Sequence, residues 1–438
     1  MYGEEFRPVH HFVQMHTELS GARECDHMHD GLGFMTQHTA ITALFERALQ
    51  VVNPAVSLPY WDFTIDGQHV YDVYDGNFSY LFRSEVFGAD WFGNASNSLH
   101  TVTEGNWAYT RVPSEPEVEI QDYEKSLVNA YGFLRAPWNT LKSPFVTRIQ
   151  HDMCGASPET ILTFPACEEH FAALTEYNTW YDFAWNLPYT PHGPVHAFIG
   201  GNTGCTSTFD KLVNEVGIPA PLVTKMRLFA FTYLKNLWRE TTELFQCPYY
   251  CSMDTPQDDC KCWCTRRESE NLGWWKVYEE HICITMPSDD DGVSGIDCSN
   301  LTVTQKRRMV ELICDNGIAL DGDHLEASSP SDVSFWPIHP TMERLWQLKK
   351  LSGTFKSEVW PDRFAQQRAT LWDDCYGHFA SDELIFKQPF GNGPKKFTNK
   401  QLYNYMDPHK DHLPYIYDHF EWDHCSNRGY NFSVDAWR

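Results

Sequence analysis

Three segments of this chain set histidines in telling contexts, and in two of them the histidine is joined to apolar residues at helical spacing. After His38, residues Ile41, Leu44, Phe45, Ala48 and Leu49 recur at helical spacing. His38 therefore enters a buried helix near its start and faces the core. That pattern stops before Asn53-Pro54, and a stiff aromatic loop, Leu58-Pro59-Tyr60-Trp61-Asp62, follows. In the second segment His192 and His196 stand four apart, so both imidazoles lie on one helix face and can reach a single ion. Gly200-Gly201 would end that element. In the third, Pro340 suits a first helical turn, His339 marks the helix start, and Met342, Leu345 and Trp346 pack behind it.

The remaining composition narrows the class. With 438 residues the chain suits one large domain, or a domain with a sizeable insertion. A formal net charge of −25 argues against nucleic-acid backbones and anionic membrane surfaces as partners, and leaves a small neutral ligand open. No run approaches the roughly 18 to 20 apolar residues of a membrane span. Eight of the 14 cysteines (Cys247, Cys251, Cys260, Cys262, Cys264, Cys283, Cys298 and Cys314) crowd one segment. They read as a disulfide framework, with a zinc knuckle of Cys251, Cys260, Cys262 and Cys264 as the alternative. Sequons at Asn77, Asn94, Asn300 and Asn431 favour a secretory route. Residues 1–16 are polar and His-rich and do not read as a signal peptide, so a secreted chain would carry its leader upstream.

Along the chain three regions differ in character. Residues 1–201 hold the first histidines and the His192–His196 pair. Residues 202–330 open with a helical pattern, Leu222, Met226, Phe229, Tyr233, Leu237 and Leu244, and then turn Cys-, Pro- and Asp-rich. Residues 331–438 return to helix and end in an aromatic, His-rich tail. The run Asp289-Asp290-Asp291-Gly292 would put Pro287 and Cys298 where a calcium loop needs carboxylates, so a solvated acidic turn is expected there.

Taken in order, the histidine segments resemble the two copper half-sites of the tyrosinase, catechol oxidase and molluscan haemocyanin family. The second half-site of that family is matched by His192, His196, Gly200, Gly201, Asp332, Phe335, Trp336, His339, Arg344, Leu345 and Trp346. The first is matched by His29, His38, Phe45, Glu46, Leu49 and Leu58 to Asp62, and Phe12-Val13-Gln14-Met15-His16 fits its remaining ligand. Tyr415-Ile416-Tyr417-Asp418 is similar to the element that closes the family's catalytic domain. No single piece is decisive; their joint order is.

The resemblance implies a mainly α fold whose four-helix-bundle core holds a dicopper centre, with long loops and short strands around it. It implies that His16, His29 and His38 hold one copper ion and that His192, His196 and His339 hold the other. His10, His11 and His27 are left facing solvent or behind the ligands. The catalytic domain would comprise 1–201 and 331–438, with half-sites over 16–62 and 192–346. The 143 residues from His196 to His339 far exceed the short connection usual in relatives. Residues 202–330 are therefore read as a Cys-rich, disulfide-stapled inserted subdomain. Imidazole suits both copper oxidation states, and six neutral ligands leave the ions their full charge.

The implied activity is oxidation of o-diphenols to o-quinones by molecular oxygen, with a small phenolic substrate. Hydroxylation of monophenols is the wider reading. Gly193 stands where tyrosinases often carry Asn, and Ala197 follows the second ligand; both are substrate-gating candidates, and Gly193 favours the diphenol reaction. An oxygen carrier like molluscan haemocyanin, without catalysis, is the alternative, as is a structural descendant that has lost copper. Cys25 lies four residues before His29, and His27 occupies the place where some relatives have cysteine, which argues against a Cys–His thioether. The chain ends about 20 residues after Asp418, so no further plugging domain is expected within it.

Overall fold

Apolar residues at three- and four-residue steps make helices the dominant regular structure of this chain, and the computed structural model is accordingly mainly α. It describes residues 6–114, 127–240, 244–283, 300–316, 319–360, 375–390 and 395–436. The proposed acidic turn at Asp289–Gly292 lies outside them. Among the described residues the strands are four two-residue pieces, paired antiparallel as Asn202–Thr203 with Leu320–Asp321 and Phe245–Gln246 with Trp263–Cys264. No helix among them is long and apolar enough to cross a membrane.

The described residues fall into two compact units. The first comprises 1–87, 164–195 and 330–438; the second comprises 88–163 and 196–329. The second unit thus gathers 88–163 together with the Cys-rich stretch.

In the first unit the helix Phe34–Val52 runs as its apolar stripe requires and ends at Asn53, before Pro54. The helix Val9–Ser20 packs on it with Phe12, Val13 and His16 buried. The helix Phe335–Ser352 packs on it as well. This last helix starts four residues earlier than the sequence suggests. Asp332 Oδ1 accepts from the backbone N–H of Ser334 at 2.9 Å and from its hydroxyl at 2.8 Å, and Ser334 caps the helix. His339 therefore sits one turn inside, and Pro340 lies within the helix. The helix is also bonded from outside near these prolines. The Trp61 N–H donates to Pro337 O at 2.9 Å, and the Thr341 hydroxyl donates to Trp61 O at 2.6 Å. The aromatic loop predicted at 58–62 is thereby tied to the helix that bears His339.

Arg344 is buried and clamps the tail. Its guanidinium donates to Asp62 at 3.1 Å, to His419 O at 3.0 Å and to Glu421 O at 3.1 Å, and it lies 3.8 Å from the Trp422 ring. Disulfides Cys25–Cys375 and Cys167–Cys425 tie distant parts of this unit together. Cys25 is therefore paired with a cysteine and not with a histidine.

In the second unit the cysteines form Cys154–Cys205, Cys247–Cys262, Cys251–Cys260 and Cys264–Cys314. The zinc-knuckle alternative fails, because Cys251, Cys260, Cys262 and Cys264 are all spent in disulfides. A core of Phe209, Leu222, Met226, Tyr233, Leu237, Met309 and Ile313 lies beneath them. The single helix expected over 222–246 is two, Ala220–Leu228 and Ala230–Glu240, broken at Phe229. Phe229 has left helical geometry (φ −101°, ψ 14°), and Leu244 is buried beyond the second helix.

Candidate metal centre

Phe34 and Phe335 open two helices in the same way. Each is followed four residues later by a histidine, and in each case the phenylalanine carbonyl accepts from that histidine's Nδ1. The distances are 2.9 Å for His38 and 2.7 Å for His339. A carbonyl can only accept, so both imidazoles carry their proton on Nδ1 and present a lone pair at Nε2. The phenylalanine rings complete the device. Phe34 packs on its own His38 (4.4 Å between centroids) and on His192 (4.7 Å); Phe335 packs on its own His339 (4.1 Å) and on His16 (5.2 Å). This twice-used Phe-x-x-x-His pattern was legible in the sequence and was not used there.

The first group brings together His16, His29 and His38, whose nearest ring nitrogens lie within 4.8 Å of one another. His16 and His38 are buried, and the His29 side chain is 27% exposed. His16 Nδ1 lies 3.2 Å from the Ser20 hydroxyl, and His29 Nδ1 lies 3.1 Å from the buried carboxylate of Asp26. The loop that carries His29 is shaped by that same carboxylate, which accepts from the N–H of Met28 and of His29 at 3.1 and 2.8 Å. Partners of this kind hold a ligand's outer nitrogen, fix its tautomer and raise its basicity. Asp26, three residues before His29, was not singled out in the sequence.

The second group brings together His192, His196 and His339 within the same limit, again with two buried and one half-buried. His192 and His196 lie one turn apart where the turn Pro188–His192 runs into the helix Gly193–Gly200. His192 Nε2 and His339 Nε2 stand 3.0 Å apart. Nitrogens each about 2.0–2.1 Å from one ion can be separated by up to about 4 Å, and 3.0 Å falls within that span. The rings of His38 and His339, one from each group, stack at 4.5 Å with 6° between planes.

The other sequence-picked positions fall as follows. Ala197 is buried, packed with Met153 and Leu228. A Cβ at Gly193 would come 2.8 Å from Pro188 O, so close backbone approach by itself demands glycine there. His10 is exposed and His11 half-buried. His27 is only 13% exposed; its Nδ1 lies 2.8 Å from Tyr376 O, and its Nε2 lies 3.3 Å from Glu24. Tyr415 and Tyr417 both donate to the buried carboxyl of Glu343, the latter at 3.2 Å. Burial pushes that carboxyl up to about 7 and raises both tyrosines. His170, wholly buried beside Phe63, is pushed down to about 4 by desolvation and stays neutral.

The donor set is six imidazoles in two groups of three, most of them buried, and the outer nitrogens of five of them (His16, His29, His38, His196 and His339) are held by carbonyls, a hydroxyl or a carboxylate. That is a set suited to copper.

Residues 7–212 match the family model described as the common central domain of tyrosinase. The match spans five of the six histidines and stops short of His339. A tyrosinase-like protein 2 of Margaritifera margaritifera is 31% identical over 176 residues, 40% of this chain and 34% of that relative. A tyrosinase-like protein of Pinctada maxima is 26% identical over 179 residues, 41% of this chain and 34% of its own length. The chain thus spans about a third of the curated relatives it matches. The resemblance drawn from the histidine segments thus agrees with the match of residues 7–212 to the common central domain of tyrosinase and with the tyrosinase-like relatives.

Proposed function

We propose that this protein is a copper-dependent oxidase that uses molecular oxygen to oxidise o-diphenols to o-quinones. The observation that carries this reading is the meeting of two histidine triads, His16, His29 and His38 in one and His192, His196 and His339 in the other. Bound there, a pair of copper ions would pass electrons two at a time to oxygen and recover them two at a time from catechols, so that two catechols become two quinones as one oxygen molecule becomes two water molecules. The protein's own part is positional. Phe34 O and Phe335 O hold His38 and His339 in the tautomer that leaves Nε2 available, and the Phe34 and Phe335 rings exclude water from the buried side of each triad. The half-buried histidines, His29 and His196, mark the side from which a small phenol would approach. Gly193 and Ala197 stay in this reading as gating candidates beside them. The disulfides fit an oxidising, secretory or extracellular setting.

The test is oxygen uptake by the copper-loaded protein with a catechol and, separately, with a monophenol, comparing wild type with His196→Ala. The expected result is uptake with catechol that falls at least a hundredfold in the variant. Uptake with the monophenol as well would widen the activity to that of a tyrosinase. Two bound copper ions and reversible oxygen binding without uptake would sink the oxidase and leave the oxygen carrier.

A further inference from the structure

The Cys-rich insertion returns to the main chain next to a ligand histidine, and what it brings there is another histidine. The insertion leaves at Asn202–Thr203 and re-enters at Leu320–Asp321, the two ends paired as an antiparallel ladder. The returning chain then passes over the end of the helix that carries His196. Gly322 N–H donates to Gly201 O at 2.9 Å, and a Cβ at Gly322 would come 2.0 Å from Gly200 O. A Cβ at Gly200 would in turn meet the Leu325 side chain at 2.9 Å and His324 Cβ at 3.2 Å. Gly200 lies one turn beyond His196 on the same helix face, so both glycines are needed for residues 322–325 to lie against that face.

The crossing places His324, 1% exposed, on the outer nitrogen of His196. His196 Nδ1 is 2.8 Å from His324 O and 3.0 Å from His324 Nδ1, with ring centroids 4.7 Å apart. The carbonyl can only accept, so the His196 proton sits on Nδ1 and its lone pair on Nε2. His324 Nδ1 then faces that proton as a second acceptor and carries its own proton on Nε2. The opposite tautomer of His324 would set two N–H groups against each other. The return loop is rigid: Asp323 takes a bidentate ion pair from Arg135 at 2.8 and 2.8 Å and accepts from the Thr147 N–H at 2.7 Å, all of it buried.

We propose that His324 is a positioning residue for His196, so that the Cys-rich insertion holds one ligand of the second metal group through its own return leg. The proposal rests on the reading of His196 as a ligand. Partners of this kind are worth about ten- to a hundredfold in metal affinity.

The test uses the full chain with His324→Leu, which keeps volume and loses the acceptor, and His324→Asn, which restores an acceptor near the place of Nδ1. Two readouts are taken: copper affinity at each group by titration against a chelator, and the His196 tautomer in the metal-free protein from imidazole nitrogen chemical shifts. Expected are a loss of at least about tenfold in second-group affinity for His324→Leu, near wild-type affinity for His324→Asn, and an unchanged first group. The Nδ1–H tautomer should be kept by His324→Asn and mixed in His324→Leu. Equal behaviour of the two variants, or a better result for Leu than for Asn, would overturn the proposal, since packing alone prefers leucine. If the wild type binds no copper pair, the oxidase reading fails by itself, and the tautomer readout still decides the role of His324.

Discussion

At the scale of single residues, the chemistry depends on which nitrogen of each histidine carries the proton. For four of the six a neighbour decides it: Phe34 O for His38, Phe335 O for His339, His324 O for His196 and the carboxylate of Asp26 for His29. The sequence made the candidate ligands visible through spacing and order, because a helix brings residues four apart onto one face. Their partners were mostly hidden. Asp26 and His324 act through contacts that no local pattern encodes, and His324 lies 128 residues from the ring it touches. Gly193 also reads differently in three dimensions, since the carbonyl of Pro188 leaves no room for a side chain. Glu343 carries a prediction of its own. Burial disfavours its carboxylate and lifts its folded-state pKa to about 7, above the ordinary glutamate value near 4.5. Its protonated form is therefore the favoured one in the fold. The stability this gives is complete below about pH 4.5 and is lost as pH rises towards 7, by about 3 kcal/mol at most. Glu343→Gln mimics the protonated acid, so the melting temperature of that variant should fall less than that of wild type between pH 5 and pH 8. Parallel curves would refute the assignment.

At the scale of elements, helix existence was legible and helix ends were not. The helix Phe34–Val52 follows its stripe and stops where Asn53-Pro54 directs. The helix through His339 starts a turn early, directly after the turn in which Asp332 accepts from Ser334, and Pro340 lies inside it. The break at Phe229 had no Gly or Pro to announce it. The loop from Asp321 to Glu326 is an element in its own right, built on the buried pair Arg135–Asp323. Breaking such a pair leaves one charge without compensation and costs about 3–5 kcal/mol. Asp323→Asn should lower unfolding free energy by that order in a urea titration. It should also weaken the second metal group in step with His324→Leu, because the same loop carries both. A loss below about 1 kcal/mol would mean that the pair is not what holds the loop.

At the scale of the whole molecule, disulfides join residues as far apart as 25 and 375. Such bridges persist in an oxidising compartment. The sequons agree with that setting in one respect: Asn77, Asn94, Asn300 and Asn431 are all exposed. Expressed through a secretory pathway, the protein should carry glycans that an endoglycosidase removes, with Asn→Gln at each occupied site shifting its mass by one glycan. An unmodified chain with free thiols would place it in a reducing compartment instead.

The sequence by itself determined the helical class, the six histidines and the family resemblance, because each rests on short-range periodicity or on motif order. It also determined that the cysteines would be numerous enough to staple the Cys-rich region. Which cysteines pair was decided only by the tertiary structure, as was the gathering of residues 88–163 with 196–329 and the crossing of the return leg over Gly200. The physical reason is the same in each case. These features depend on how closely two backbones distant in sequence can approach, and that distance is set by packing across the fold, which local residue order does not encode.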